Sequence, residues 1–216
     1  MKSALFDMDR TLVAVNTGNL YVRWRMRRRE AGLRDVLRVS GWMLRYTLGV
    51  VDAPAMTARA LSSLAGVEEA RFREDCELWY AEDVRQHVTD AARREVERRR
   101  SQGYLCAVLS ASTPYVTEPL ARDVGIDHVV CTRLEVKGGR FTGAWQPPLC
   151  YGAGKLEAAQ AWAREHDVDL RASTFYTDSV SDLPVLEHVA EPVVVNPDPR
   201  LRWHARRRGW RVERWT

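Results

Sequence analysis

The sequence predicts an α/β fold: a Rossmann-like parallel sheet flanked by helices, with an α-helical cap inserted after the first strand. Three observations predict it. A short apolar strand, Leu5-Phe6, runs directly into acidic residues at the very start of the chain. Residues 13–88 then read almost wholly helical. From about residue 89 onward, strand patterns alternate with helix patterns, which is how a parallel sheet with helices on both faces is built.

The elements follow in order. The helical stretch begins with an arginine-rich run, Tyr21 to Arg38, and continues through the more apolar Val36 to Val51, which Asp52-Ala53-Pro54 breaks. Asp90 to Arg100 is a charged helix that stops near Gly103. Tyr104 to Leu109 is a buried-type strand leading into Ser110-Ala111-Ser112. Pro114 to Val124 is a helix with Gly125 as its stop, because glycine takes the left-handed conformation that ends helices. Asp127 to Val130 is a short strand. Cys131 to Glu135 and Arg140 to Trp145 form a hairpin around Lys137-Gly138-Gly139. Gly154 to His166 is a helix, Ser173 to Thr177 a strand ending at Asp178, and Val193 to Val195 the last clear strand, closed by Asn196-Pro197. The domains expected are therefore a core of residues 1–12 and 89–216 and a cap of residues 13–88.

Composition narrows the class. With 216 residues, 45% of them hydrophobic and 29% charged, the chain can bury a core and is not a disordered sequence. Its formal net charge of +4 favours anionic partners without naming one. The four cysteines are scattered with no CxxC pair, so a zinc site is not expected, and Cys150 reads as a packed thiol. Lys2 is followed by only a few apolar residues before Asp7, which is not a secretory leader, and no apolar run reaches the length of a membrane span. A cytoplasmic protein is the expectation. The arginines of Tyr21 to Arg38 read first as a solvated helix face. A peripheral contact with an anionic membrane is the minority alternative, and no nucleic-acid partner is expected because no stacking motif accompanies them. Oligomeric state is not legible.

The chemistry sits at the strand ends. In a strand, side chains alternate faces, so Asp7 and Asp9 are expected on one side. Two like charges that close are tolerated when a cation lies between them or one keeps a proton. Ligands of open α/β sheets bind beyond the carboxyl ends of the strands. Those ends carry Asp7 and Asp9, Ser110, and Asp178 with Asp182, while Lys155 opens the helix after Gly152-Ala153-Gly154. Three acids, a hydroxyl and an amine at one sheet edge suit Mg²⁺ held against a phosphate, since Mg²⁺ takes one or two carboxylates plus phosphate oxygens and water.

The set Asp7-Met8-Asp9-Arg10-Thr11, Ser110, Lys155 and Asp178-Ser179-Val180-Ser181-Asp182 resembles the four motifs of the haloacid dehalogenase superfamily, in order and spacing. It is most similar to the phosphoserine-phosphatase-like branch, subfamily IB, and the segments Thr132-Arg133-Leu134-Glu135 and Val195-Asn196-Pro197-Asp198 look like that branch too. The resemblance implies a Mg²⁺-dependent phosphatase acting on a small-molecule phosphomonoester. By it, Asp7 is the nucleophile that becomes an aspartyl-phosphate and Asp9 the general acid and base. Asp7, the backbone carbonyl of Asp9 and Asp178 would be metal ligands, with Asp182 acting through water. Ser110, Ala111 and Lys155 would grip the phosphoryl oxygens. The alternatives are a phosphotransferase on the same site and a phosphatase directed at lipid phosphates through the basic cap.

Two positions depart from the family pattern. Arg10 stands where glycine is usual, and glycine there would allow free backbone geometry beside the phosphate. Asn16 stands where phosphoserine phosphatases carry the glutamate that binds the substrate ammonium. Arg10 and Asn16 are thus candidate specificity positions, and weak activity on phosphoserine is expected.

Overall fold

In the computed structural model, which describes residues 1–28, 58 and 61–215, the first strand lies at the centre of a six-stranded parallel sheet. The strands are β1 (Ser3–Phe6), β2 (Leu105–Ser110), β3 (His128–Cys131), β6 (Thr174–Thr177), β7 (Glu191–Val195) and β8 (Arg211–Glu213), in the spatial order β3-β2-β1-β6-β7-β8. The order runs outward from β1 in both directions, so the cleft between its two wings opens at the carboxyl end of β1. A two-stranded antiparallel hairpin, β4 (Arg133–Lys137) with β5 (Arg140–Gln146), stands apart from this sheet.

The pleat divides the core into two. Ala4 and Phe6 of β1, Cys106 and Val108 of β2, Tyr176 of β6, and Val193 and Val195 of β7 face one apolar cluster. Leu5, Ala107, Leu109, Phe175 and Val194 face the other. Strands buried on both faces explain the unbroken apolar runs Ala107-Val108-Leu109 and Val193-Val194-Val195, where an exposed face would have imposed alternation.

Between β1 and β2 the described helices are α1 (Thr17–Arg27), α2 (Glu69–Trp79) and α3 (Asp90–Ser101), with a π-helical turn, Tyr80–Val84, and a 3₁₀ turn, Arg85–His87, joining the last two. The arginine-rich run beyond residue 28 and the whole of the Val36–Val51 segment with its Pro54 break lie outside the described residues. Trp24 and Trp79 anchor the helices in the first apolar cluster. The hairpin also ties in: Phe141 of β5 meets Phe72 of α2 and Tyr115, each at 5.3–5.4 Å edge to face.

Helices α4 (Pro114–Val124), α5 (Ala153–Glu165), α6 (Leu183–Leu186) and α7 (Pro199–Arg208) complete the chain. Gly125, with φ +74°, ends α4 in the left-handed conformation. The structure corrects the sequence reading at the C-terminal end. Val193 to Val195 is not the last strand: α7 and β8 follow it, and β8 pairs with β7 through Val193↔Arg211 to Val195↔Glu213. Their density of arginine hid both, because only Leu201 and Ala205 of α7 turn inward and β8 is an edge strand.

Candidate active site

The candidate site lies at the carboxyl edge of β1, β2 and β6. Strand β1 stops at Phe6, one residue short of Asp7. The alternation that put Asp7 and Asp9 on one face therefore does not reach Asp9, which is placed by a turn. Leu12 and Val13 donate backbone bonds back to the carbonyls of Asp7 and Met8, at 3.4 and 3.1 Å. Met8, fully buried, is the pivot of that turn.

Asp7 is only 7% exposed. Its Oδ1 accepts a hydrogen bond from Lys155 Nζ at 2.8 Å, and the same ammonium donates to Asp182 Oδ2 at 2.7 Å. Thr177 Oγ1 donates to that Asp182 oxygen at 2.6 Å. Lys155, 2% exposed, sits in the first turn of α5 because of a glycine. A Cβ on Gly154 would stand 2.2 Å from the carbonyl oxygen of Leu149, so only glycine lets the helix start this close to the preceding loop.

Asp9 is held differently. Its Oδ1 accepts from the backbone N and the hydroxyl of Thr17, at 3.1 and 2.7 Å, and its Oδ2 from Asn16 Nδ2 at 3.0 Å. Asn16 is also the N-cap of α1, its Oδ1 accepting from Asn19 N at 3.1 Å. Both ends of the Asn16 amide are thus engaged, one on Asp9 and one on the helix. Arg10 is exposed and has φ +53°.

Asp178, 7% exposed, follows β6 directly. Among the described residues no donor reaches its carboxylate. Burial pushes its carboxyl well above the usual range, and the charges of Asp7, Asp182 and Asp9 add to the effect. Asp7 is raised to about 7 by burial, with Lys155 pulling it back. Burial also raises Asp9, against the hydrogen bonds from Thr17. The Lys155 ammonium is held charged by Asp182 and Asp7, whose attraction overrides the burial that opposes it.

Ser110 ends β2, 5% exposed, with its hydroxyl accepting from Ser112 N at 3.2 Å. The neighbouring Ala111 carbonyl accepts from Thr132 Oγ1 at 3.0 Å, and Thr132 Oγ1 in turn accepts from Cys150 N at 3.3 Å. The structure therefore gathers Asp7, Lys155, Asp182 and Asp178 at one edge, with Ser110 on the adjacent strand. It attaches Asn16 to Asp9 and leaves Arg10 at the rim.

Among the described residues no three acidic, histidine or cysteine side chains converge as a self-sufficient cation cage. The donor set still suits Mg²⁺, which needs only one or two carboxylates when phosphate and water complete its shell. A nearly buried carboxylate without a donor, beside Asp7, is the arrangement such a cation would relieve.

Sequence reasoning gave no role to several residues that orient this site: Thr17, Thr132, Thr177, Asn196 and Asp198. Asp198 accepts from Val180 N at 2.7 Å and caps α7 through Arg200 N and Leu201 N, both at 2.8 Å. Its own N donates to the Asp178 carbonyl at 2.9 Å. The segments containing Thr132 and Val195-Asn196-Pro197-Asp198 stood out in the sequence, but nothing there assigned them partners.

The sequence profile of haloacid dehalogenase-like hydrolases matches residues 4–187. The chain is 28% identical over 217 residues to a histidinol-phosphatase of Neisseria meningitidis serogroup C (strain 8013), covering 97% of this chain and 96% of that one. It is 30% identical over 215 residues to a phosphoserine phosphatase of Mycobacterium tuberculosis (strain ATCC 25618 / H37Rv), covering 97% and 70%. Among solved structures, a protein of unknown function from Bordetella pertussis Tohama I superposes with a TM-score of 0.89 at 31% identity, over 98% of this chain and 97% of that one. A phosphoserine phosphatase solved as a phospho-aspartyl intermediate analogue superposes at 0.73 with 18% identity, over 100% and 95%, a likeness of fold alone.

Proposed function

The chain belongs to the haloacid dehalogenase-like hydrolase family, and from that premise we propose that it is a Mg²⁺-dependent phosphomonoesterase working through an aspartyl-phosphate on Asp7. The observation that carries the reading is Asp178: a carboxylate 7% exposed, with no donor among the described residues, set beside an Asp7 whose one oxygen is already tied to Lys155.

Two displacements account for the residues present. Asp7 attacks phosphorus, the bond to the ester oxygen breaks, and Asp9 gives its proton to the leaving alkoxide. Asp9 then takes a proton from water as that water attacks phosphorus, the bond to Asp7 breaks, and phosphate leaves. A carboxylate nucleophile divides one difficult hydrolysis into two steps. Asp7, the Asp9 carbonyl and Asp178 would hold Mg²⁺, which when bound supplies charge to offset repulsion between Asp7 and the phosphate. Lys155, fixed between Asp7 and Asp182, supplies charge at the transferring group, and the hydroxyl of Ser110 with the adjoining Ala111 peptide bounds the phosphoryl pocket on the β2 side. Proton transfer by Asp9 is worth roughly 10²–10⁴ in rate. Charge and positioning carry the rest.

The substrate in this reading is a small phosphomonoester other than phosphoserine. Asn16 is neutral, and its amide is spent on Asp9 and Asn19. An ammonium-binding carboxylate is missing where the family's phosphoserine enzymes have one.

Hydrolysis of p-nitrophenyl phosphate with and without Mg²⁺, by the wild-type protein and Asp7→Asn, tests the mechanism. Mg²⁺-dependent turnover lost in the variant is expected, and equal rates in both proteins would refute it. Comparing kcat/KM for phosphoserine and histidinol phosphate tests the substrate reading, which a clear preference for phosphoserine would overturn.

A further inference from the structure

Arg10 occupies the position where glycine is usual, yet its backbone keeps the conformation glycine would take, φ +53°. A residue with a Cβ disfavours that region, so neighbouring contacts must hold it there. The structure provides two. Arg10 N donates to the Val15 carbonyl at 3.2 Å, and the Arg10 carbonyl accepts from Asn196 Nδ2 at 3.0 Å. The φ and ψ angles of Arg10 together relate the peptide that ends in its N to the peptide that begins at its carbonyl. One bond pins each, so together they fix the direction of the Asp9 carbonyl.

Asn196 is itself fixed from the other side. Its Nδ2 also donates to the Trp215 carbonyl at 2.9 Å, and its Oδ1 accepts from Trp215 N at 3.1 Å. Trp215 is 4% exposed, and its ring lies 5.4 Å from that of Tyr176. Tyr176 stacks on Phe6 at 4.6 Å, and its carbonyl accepts from Asp7 N at 2.9 Å. Trp215 is therefore linked to both sides of the Asp7–Arg10 turn, to Arg10 through Asn196 and to Asp7 through Tyr176.

We propose that Asn196, locked by Trp215, is a positioning residue that keeps Arg10 in the left-handed conformation and so sets Asp9 for catalysis. The inference takes its consequence for turnover from the phosphatase reading. Its conformational part stands on the three bonds of one amide.

The test is a cycle of Asn196→Ala, Arg10→Gly and the double variant, assayed on p-nitrophenyl phosphate and compared by hydrogen exchange. Asn196→Ala lowers kcat by roughly 10–100-fold, as loss of an orienting partner typically does, with little change in KM. In the Arg10→Gly background the same substitution costs less than about threefold, because glycine takes positive φ freely. Asn196→Asp can still accept from Trp215 N but cannot donate to Arg10, and it behaves like the alanine variant. Amides of residues 8–15 exchange faster in Asn196→Ala, while those of α5 do not. A wild-type kcat in Asn196→Ala, no recovery with Arg10→Gly, or unchanged exchange at residues 8–15 would overturn the proposal. Should the wild-type protein hydrolyse no phosphomonoester, the phosphatase reading fails by itself, and the exchange measurement alone decides whether Asn196 holds the turn.

Discussion

Lys155 and Asp182 form a closed ion pair, Nζ to Oδ2 at 2.7 Å, with both side chains 3% exposed or less. The same ammonium meets Asp7 Oδ1 at 2.8 Å. One buried cation thus serves two buried carboxylates. Removing it strands both, and breaking a buried pair on one side typically costs about 3–5 kcal/mol. Lys155→Met is expected to lose that much in chemical denaturation, along with activity. Adding Asp182→Asn removes one stranded charge, so the double variant is expected to be more stable than Lys155→Met alone. Additive losses would argue that the pair is not coupled.

Thr17 joins Asp9 to the start of α1 through its backbone N and its hydroxyl. Thr17→Val keeps the shape and the backbone bond but drops the 2.7 Å hydroxyl bond. The expected result is a kcat reduced about 10-fold with KM near wild type, and recovery in Thr17→Ser. Steady-state kinetics on p-nitrophenyl phosphate reads this directly.

Gly154→Ala drives a Cβ to 2.2 Å from the Leu149 carbonyl oxygen. Neither the helix nor the loop backbone can yield cheaply, and overpacking of this kind costs roughly 1–3 kcal/mol. Because Lys155 is the next residue, activity is expected to fall further than stability explains. A lowered denaturation midpoint with unchanged kcat would separate the two and contradict this account.

Among the described residues no donor reaches the Asp178 carboxylate, and in the proposed reading a cation would offset its charge. Asp178→Asn is therefore expected to raise the melting temperature of the protein in EDTA. Mg²⁺ at about 100 times its Kd adds about 2.7 kcal/mol to a protein that binds it only when folded. Wild type is expected to gain that shift and Asp178→Asn to lose most of it. Thermal melts with EDTA and with Mg²⁺ measure both.

Acid acts on a different part of the molecule. Burial works to raise the carboxyl of Asp123, but hydrogen bonds from Arg93 at 2.5 Å and Tyr80 at 2.9 Å outweigh it and hold Asp123 below the usual range. Glu95 is lowered in the same way, burial being overcome by Arg98 and Tyr176. A carboxylate whose folded pKa is depressed stabilises the fold above its unfolded value, here 3.8 for Asp123 and 4.5 for Glu95, and that contribution fades as pH falls through the folded value. Melting temperature is expected to drop below about pH 4. The gap between wild type and Asp123→Asn, large at pH 7, is expected to close as the pH falls through that range.

Much of this was legible in the sequence for a physical reason. Buried strands leave apolar runs, and the polar residues that end them, such as Asp7, Ser110 and Asp178, stand out against that background. Lys155 was visible through the Gly152-Ala153-Gly154 turn before it. What stayed hidden was pairing between distant segments. The bonds of Thr132 to Ala111 and of Asn196 to Arg10 span 21 and 186 positions and leave no periodic trace. The pleat argument reaches Asp7, whose N still donates to the Tyr176 carbonyl, but not Asp9, which a turn at Met8 places, and alternation cannot locate where the strand gives way to that turn. Helix α7 and strand β8 were hidden by composition, since arginine marks a solvated surface whatever the backbone does beneath it.

The central place of β1 also governs how the molecule comes into being. Its Ala4 pairs with Cys106 on one side and Thr174 on the other. Strand β1 must therefore wait for segments made about 100 and 170 residues later. Such distant pairing slows folding and leaves an apolar strand open to wrong partners in the meantime. Newly made chains are expected to depend on chaperones during synthesis, and Asp7 to gain its surroundings only when β6 has docked.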